Sequence, residues 1–133
     1  MFFCKVDRDK LAAAPEQVFG GPIVGTTSRM RVDFALNDPA GTIAFETFAP
    51  SDTVDWVFFH SETHVVLGGE AEIEYTLPPN HKRIHTAAAG PGTAYLIING
   101  TRARFRITSK EPYLHVCVIM PRYHLEKYLL HDA

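Results

Sequence analysis

The sequence predicts a single all-β domain, a sandwich or barrel of many short strands with short helices near the two ends of the chain. Turn-forming residues interrupt the chain at short intervals, the segments between them alternate apolar and polar residues, and helical periodicity is confined to the ends. The 133 residues suffice for one domain and are too few for two ordinary ones. Glycine, proline and asparagine mark the interruptions at 20–22, 37–41, 49–52, 68–69, 77–80, 90–92, 99–100 and 110–112.

The individual elements follow from these interruptions. Residues 9–18 predict a helix of one or two turns, and residues 123–130 predict a short amphipathic helix, because Leu125, Tyr128 and Leu129 recur at helical spacing. In the segment 70–75, glutamates alternate with apolar residues that face inward. Strands are predicted at 29–36, around 43–45, at 70–75, at 95–98 and at 114–120, and one further strand is predicted to end at residue 67.

Composition excludes some partners and favours one compartment. The net charge of −2 offers no basic surface for nucleic acid, and no apolar run is long enough to span a bilayer. The N-terminus lacks the pattern of a signal peptide, and two distant cysteines, Cys4 and Cys117, are typical of reduced thiols. We therefore expect a cytoplasmic protein without nucleic-acid or membrane partners. Arg102, Arg104 and Arg106 alternate along one strand, which favours a solvated sheet face over a phosphate or carboxylate site.

Two segments together resemble the motifs of the cupin superfamily. Residues 62–73 (ETHVVLGGEAEI) resemble the first motif, in which an inward glutamate precedes a hairpin turn, and residues 92–105 (GTAYLIINGTRARF) are similar to the second. The resemblance implies one cupin-type β-barrel, a double-stranded β-helix or jelly roll, over residues 1–133, with the motif-bearing core at about 42–121. It also implies a lumen that holds one small molecule, because alternation turns every second side chain inward.

The chain departs from the family at the positions of the metal ligands. The two histidines of the first motif fall in residues 55–58, which contain no histidine, and the histidine of the second motif falls on Ala103. Of the family's metal ligands, three histidines and one glutamate, this chain retains only the glutamate, Glu62. The arrangement of Trp56, Glu62 and residues 66–69 looks more like the EutQ-like ethanolamine-utilisation cupins, which also lack the histidine pair. That similarity implies no metal. The missing histidine ligands make an oxygenase activity less expected.

Three polar residues in succession are the candidate catalytic groups. His60, Glu62 and His64 are spaced two apart, so an extended chain projects all three to one side, which the resemblance identifies as the lumen. Neighbours lie about 6–7 Å apart and the outer pair about 13 Å apart, so both histidines reach one ion only if the chain bends at Ser61. The trio is either an acid–base set or part of a metal site. The alternative is a loop histidine beside a hydrogen-bonded barrel histidine.

A metal site would need a ligand from another strand. His115 is the candidate that completes a set with Glu62, His64 and His60, and Cys117 and His85 are further possibilities. Imidazole and carboxylate suit zinc, iron, manganese or nickel, and the sequence does not choose among them. His115 and Cys117 share one face of the last strand, and the sequence does not say whether that face lines the barrel.

Four aromatic residues are the candidate substrate-binding groups: Trp56, Tyr75, Tyr95 and Phe105. Their side chains offer apolar area, and all but that of Phe105 also offer a hydrogen-bonding group. Core packing is the alternative for each. Together with the trio they predict a small-molecule-binding protein, most simply a lyase or isomerase that moves a proton on a small oxygenated or carboxylate metabolite. The alternative is a non-catalytic metabolite-binding or accessory protein without metal. A homodimer is also expected, with the apolar strand 114–120 and residues 1–6 as its interface.

Overall fold

The computed structural model describes residues 1–20 and 27–120 of the chain. Over these residues the chain forms one short helix and ten strands. Their bounds are α1 Arg8–Ala13, β1 Gln17–Gly20, β2 Thr27–Asp38, β3 Gly41–Phe48, β4 Thr53–Val57, β5 Glu62–Gly68, β6 Ala71–Thr76, β7 His85–Ala89, β8 Ala94–Ile97, β9 Arg102–Ile107 and β10 Tyr113–Ile119.

The strands form two antiparallel sheets that pack as a jelly roll. The larger sheet has the order β1-β2-β3-β10-β5-β8, and the smaller has the order β4-β9-β6-β7. One buried apolar cluster takes Phe48, Val66 and Tyr113 from the larger sheet and Ile73 and Phe105 from the smaller. The predicted all-β class and jelly-roll architecture are therefore confirmed. Among the residues that the structure describes, the hydrogen bonding does not form one continuous ring, because β7 and β8 are edge strands of separate sheets.

The N-terminal helix is shorter than the predicted segment 9–18. The carboxylate of Asp7 caps its start by accepting a hydrogen bond from the backbone N–H of Lys10 at 3.0 Å. The helix ends at Ala13 because Pro15 favours an extended conformation at Ala14, which the chain adopts. The predicted helix at 123–130 lies outside the described residues. Within residues 1–20 and 27–120, no helix has the length and apolar character needed to cross a bilayer.

The turn between β5 and β6 depends on a glycine. Gly69 has φ of +73°, and a Cβ atom there would lie 2.3 Å from the carbonyl oxygen of Pro112. Any other residue would clash with backbone in a conformation that disfavours side chains. This turn carries the chain from the larger sheet to the smaller one, so β5 and β6 do not form the hairpin that the resemblance to the first cupin motif implies.

Strict alternation separates the two faces of β9. Arg102, Arg104 and Arg106 are exposed, whereas the residues between them are buried. Arg104 donates a hydrogen bond to Asp55 at 2.6 Å, and Arg106 donates one to Glu72. The arginines therefore form the predicted solvated face, and the opposite face of β9 is left for the core.

Candidate functional site

Strand β5 turns a carboxylate and an imidazole into the space between the sheets. Its inward residues Glu62, His64 and Val66 are buried, while the residues between them are half-buried. Glu62 is 7% exposed and His64 is 2% exposed. Burial of a carboxylate is costly unless hydrogen bonds compensate for the lost water, so its partners carry the chemistry of the site.

His60 reaches the same carboxylate from outside the strand. The chain bends at 59–60, between β4 and β5, and this bend brings Nε2 of His60 to 2.6 Å from Oε2 of Glu62. Nε2 of His64 lies 2.6 Å from Oε1. Each carboxylate oxygen thus accepts one N–H. The His60 side chain is 49% exposed, so it lies between the buried carboxylate and the solvent.

Two tyrosines extend this hydrogen-bonded series inward. Nδ1 of His64 lies 3.0 Å from the hydroxyl of Tyr95, and it accepts from this hydroxyl in the tautomer whose Nε2 donates to Glu62. The Tyr95 oxygen accepts in turn from the hydroxyl of Tyr113 at 2.6 Å. The series therefore runs from the buried Tyr113 to the half-exposed His60, and both nitrogens of His64 are engaged.

The inward face of β10 lies beside β5. His115 and Cys117 are buried, so this is the face that lines the interior. The ring of His115 stacks on that of His64 with centroids 4.3 Å apart and planes 22° apart. Nε2 of His115 donates to Oε1 of Glu46 on β3 at 3.2 Å. Its Nδ1 is buried and has no hydrogen-bond partner among the described residues.

Burial and neighbouring charge shift the pKa values in opposite directions. Burial tends to raise the pKa of Glu62, but the hydrogen bonds and charges of His64 and His60 outweigh it, so this pKa lies below its usual 4.5. Burial, together with the charge of His64, lowers the pKa of His115. Burial raises the pKa of the Cys117 thiol, and the charges of Glu46 and Glu62 add to this shift. At neutral pH the site therefore holds an ionised Glu62, a neutral His115 and a protonated thiol.

The site opens into a cavity of about 200 Å³, the site cavity. Its lining includes His60, Glu62 and His64 together with Trp56 and Phe105. The other two aromatic candidates lie elsewhere. Tyr95 contacts the site through His64, whereas Tyr75 stacks on His85 with ring centroids 5.0 Å apart, and neither tyrosine lines the site cavity.

Two groups of described residues could hold a metal ion, and within each group the ligand atoms lie within 4.8 Å of one another. The groups are Glu46, His64 and His115, and Glu62, His64 and Cys117. The separation of 3.2 Å between Nε2 of His115 and Oε1 of Glu46 fits the first group, because it is close to the spacing of two ligands of one metal ion. The contact of His64 with Glu62 at 2.6 Å fits less well, because two ligands of one tetrahedral zinc lie about 3.3 Å apart. Neither His60 nor His85 belongs to either group.

The sequence analysis missed Glu46. It lies on β3 opposite His115 and lines the site cavity. No local pattern could have found it, because the burial pattern of β3 has no period of two.

The fold is shared with solved cupin structures. A cupin superfamily protein from Desulfitobacterium hafniense matches with a TM-score of 0.56 at 13% identity, covering 70% of this chain and 78% of that one. KdgF from a Halomonas species matches with a TM-score of 0.56 at 15% identity over 75% of this chain and 85% of that one. EutQ from Clostridium difficile matches with a TM-score of 0.54 at 14% identity, covering 70% of this chain and 68% of that one. No protein-family model and no curated protein matches the chain. The predicted resemblance is thus confirmed in three dimensions, and the chain has the cupin fold.

Proposed function

We propose that this cupin-fold protein binds a small oxygenated or carboxylate metabolite in the site cavity and transfers a proton on it, as a lyase or isomerase does. The observation that carries the proposal is the buried carboxylate of Glu62, which accepts one N–H from His60 and one from His64. This carboxylate connects a buried imidazole to one at the solvent boundary.

The hydrogen bonds suggest a role for each residue. His64 has both nitrogens engaged, so it holds Glu62 in position. His60 donates from Nε2 to Glu62, which leaves the lone pair of Nδ1 as the proton acceptor. The ionised carboxylate stabilises the imidazolium that forms when His60 takes a proton. His60 is therefore the proposed base, and Glu62 orients it.

The cavity restricts the size and charge of the substrate. A cavity of 150 Å³ holds benzene, so about 200 Å³ favours a molecule of roughly six to nine non-hydrogen atoms. Glu46 and Glu62 both line the cavity, and their charges disfavour an anion. Without a metal, a neutral hydroxycarbonyl compound is the better candidate, and a bound divalent cation would reverse this preference in favour of a carboxylate.

Solvent deuterium exchange tests the proposal. Small hydroxyketones, hydroxyaldehydes and hydroxy acids are incubated with the protein in D₂O, and NMR detects deuterium on the carbon next to the carbonyl. We expect exchange of at least one compound, and loss of that exchange in His60→Gln and Glu62→Gln. His85→Gln is the matched control, because His85 lies outside the site cavity. A compound that binds without exchange would refute catalysis and favour the non-catalytic binding protein.

A metal-dependent form of the same chemistry is the second candidate, favoured by the separation of 3.2 Å between Nε2 of His115 and Oε1 of Glu46, which suits two ligands of one metal ion. Glu46, His64 and His115 would hold zinc, iron, manganese or nickel, which would polarise a substrate oxygen. Element analysis of the purified protein should then find one transition metal per chain. Glu46→Gln should lose it, whereas Glu111→Gln, an exposed control, should retain it. Less than a tenth of an equivalent in the unaltered protein would exclude this candidate.

We also propose that the protein is a cytoplasmic homodimer. Both edges of β10 are already paired, with β3 and β5, so strand exchange through residues 114–120 is not available. Leu114 on the outward face of β10 is already buried with Leu11 of α1, so the proposed interface is sheet packing through Val116 and Val118, together with residues 1–6. Light scattering coupled to size-exclusion chromatography should give twice the mass of 14.9 kDa. A monomer at micromolar concentration would refute the dimer.

A further inference from the structure

Two tyrosine hydroxyl groups lie on the Nδ1 side of His64, whereas Glu62 lies on its Nε2 side. Tyr95 on β8 is directly opposite His64 on β5, and its oxygen lies 3.0 Å from Nδ1. Tyr113 is fully buried at the start of β10, and its oxygen lies 2.6 Å from that of Tyr95. The ring of Phe105 packs against both tyrosine rings, with centroids 6.5 and 6.4 Å away. Strand pairing and packing therefore fix both hydroxyl groups beside the imidazole.

The number of protons in this series determines whether Nδ1 of His64 carries one. Both hydroxyls keep their protons at neutral pH, because burial raises the pKa of Tyr113 to about 12 and raises that of Tyr95 as well. Over the part of the chain that the structure describes, the only hydrogen-bonding contacts of the two hydroxyls are Tyr113 with Tyr95 and Tyr95 with His64. Each contact holds one proton, so the two hydroxyl protons fill both. A proton on Nδ1 would be a third and would leave one buried hydroxyl proton without an acceptor, which native proteins avoid.

The contact on the other side of the ring leads to the same proton position. Nε2 of His64 lies 2.6 Å from Oε1 of Glu62, whose pKa lies below its usual 4.5, so the carboxylate is ionised at neutral pH. An ionised carboxylate only accepts hydrogen bonds, so Nε2 carries a proton. His64 thus donates to Oε1 and accepts from Tyr95, and Oε2 of Glu62 is left for His60.

We propose that Tyr95 and Tyr113 are positioning residues that act through His64. Tyr113 donates to the Tyr95 oxygen, so the Tyr95 proton points at Nδ1, and Nε2 is then the nitrogen that donates to Glu62. Neither tyrosine lines the site cavity, so neither contacts the substrate. The effect on a rate rests on the proposed function, because the orientation of Glu62 matters to a rate only if His60 transfers a proton beside it. The position of the proton on His64 is measurable without any substrate.

Nitrogen-15 NMR of histidine-labelled protein near neutral pH shows which imidazole nitrogens carry protons. We expect a proton on Nε2 of His64 and none on Nδ1, and loss of signals in His64→Gln identifies this ring. Glu62→Gln should keep the pattern, because the tyrosine hydroxyls alone still select it. Glu62→Gln combined with Tyr95→Phe should populate both tautomers, because the amide serves as donor or acceptor and Nδ1 no longer has a partner.

Three results would overturn the proposal: a proton on Nδ1 in the unaltered protein, loss of the pattern in Glu62→Gln alone, or an unchanged pattern in the double variant. The measurement on the unaltered protein decides the proton position even if the double variant does not fold. Tyr75→Phe in the Glu62→Gln background is the matched control, because the ring of Tyr75 stacks on His85. It should leave the signals of His64 unchanged, and an equal change there would refute a specific role for Tyr95.

The deuterium-exchange assay separates positioning from substrate contact. Tyr95→Phe alone should lower kcat roughly three- to tenfold, the effect of one ordinary hydrogen bond, and leave KM unchanged. An unchanged kcat, or a loss that appears only in KM, would refute the positioning role. If no compound exchanges even with the unaltered protein, the proton-transfer proposal fails, whereas the NMR pattern still decides whether the tyrosines set the proton position on His64.

Discussion

Replacement of Glu62 by glutamine tests the physical basis of the site. The two side chains have nearly the same shape, but the amide offers one acceptor oxygen where the carboxylate offers two. His64 is 2% exposed and cannot turn to water, so we expect it to keep the amide oxygen. His60 is half-exposed, so we expect water to replace the carboxylate oxygen as its hydrogen-bond partner.

The expected loss of stability is about 2 kcal/mol. A buried hydrogen bond to a charged group contributes roughly 1.5–3 kcal/mol and a neutral one roughly 0.5–1.5 kcal/mol, so the contact with His64 weakens by about 1 kcal/mol. The contact with His60 is half-exposed and contributes at most about 1 kcal/mol. Larger losses are not expected, because the variant buries no charge without a partner.

The loss should depend on pH in one direction. The pKa of Glu62 lies below its usual 4.5 in the folded protein, so the unfolded chain binds more protons in acid. The stabilisation is therefore complete above the unfolded pKa and disappears as the pH falls through the lower, folded pKa. The difference between the two proteins should be largest near neutral pH and should shrink in acid.

Urea unfolding followed by circular dichroism measures both effects. Glu111→Gln removes an exposed carboxylate and should change the free energy of unfolding by less than about 0.5 kcal/mol. The reasoning is wrong if Glu62→Gln loses no more free energy of unfolding than Glu111→Gln at pH 7. It is also wrong if the loss caused by Glu62→Gln becomes larger in acid.

Three further predictions concern the framework. Gly69→Ala should lower the free energy of unfolding by at least about 2 kcal/mol more than Gly92→Ala does. Both glycines have positive φ, but only a Cβ atom at position 69 would clash with backbone, so equal urea midpoints would contradict this prediction. Tyr95→Phe should cost about 1–2 kcal/mol in the same assay, because it removes the hydroxyl between two buried partners; a neutral result would mean that the series is not formed. Cys4 is exposed and should react with Ellman's reagent in the native protein, whereas Cys117 should react only after unfolding; two reactive native thiols would refute its burial.

The parts of the fold that the sequence predicts well are those in which one face of a strand is buried. On β9 the arginines are exposed and the residues between them are buried, and β5 alternates in the same way from Glu62 onward. In such strands the local sequence pattern is enough to predict which residues point inward, because burial of one face requires every second residue to be apolar or buried. The inward position of Glu62 and His64 follows from that rule and needs no knowledge of the strand order.

Glu46 could not be found in this way, because β3 is covered on both faces. Phe45 is buried against Leu11 of α1 on one face, while Ala44 and Phe48 are buried in the interior on the other. The burial pattern therefore has no period of two, and a glutamate within it gives no indication of which way it points. The contact of Glu46 with His115 depends on a strand pairing across about 70 residues, which local sequence does not specify.

The closeness of the two buried imidazole rings limits the positive charge that the site can carry. The resemblance expects histidines at 55–58 and 103, but in this chain His64 and His115 lie on adjacent strands with rings 4.3 Å apart. Burial lowers the pKa of His115, and the charge of His64 lowers it further, because two imidazolium rings at that distance repel. At neutral pH an uncharged His115 therefore lies beside the ionised Glu62 and its hydrogen-bond donor His64. A proton-transfer site requires an N–H beside an ionised carboxylate, and a divalent metal bound at Nε2 of His64 would have to displace the hydrogen bond from that nitrogen to Glu62.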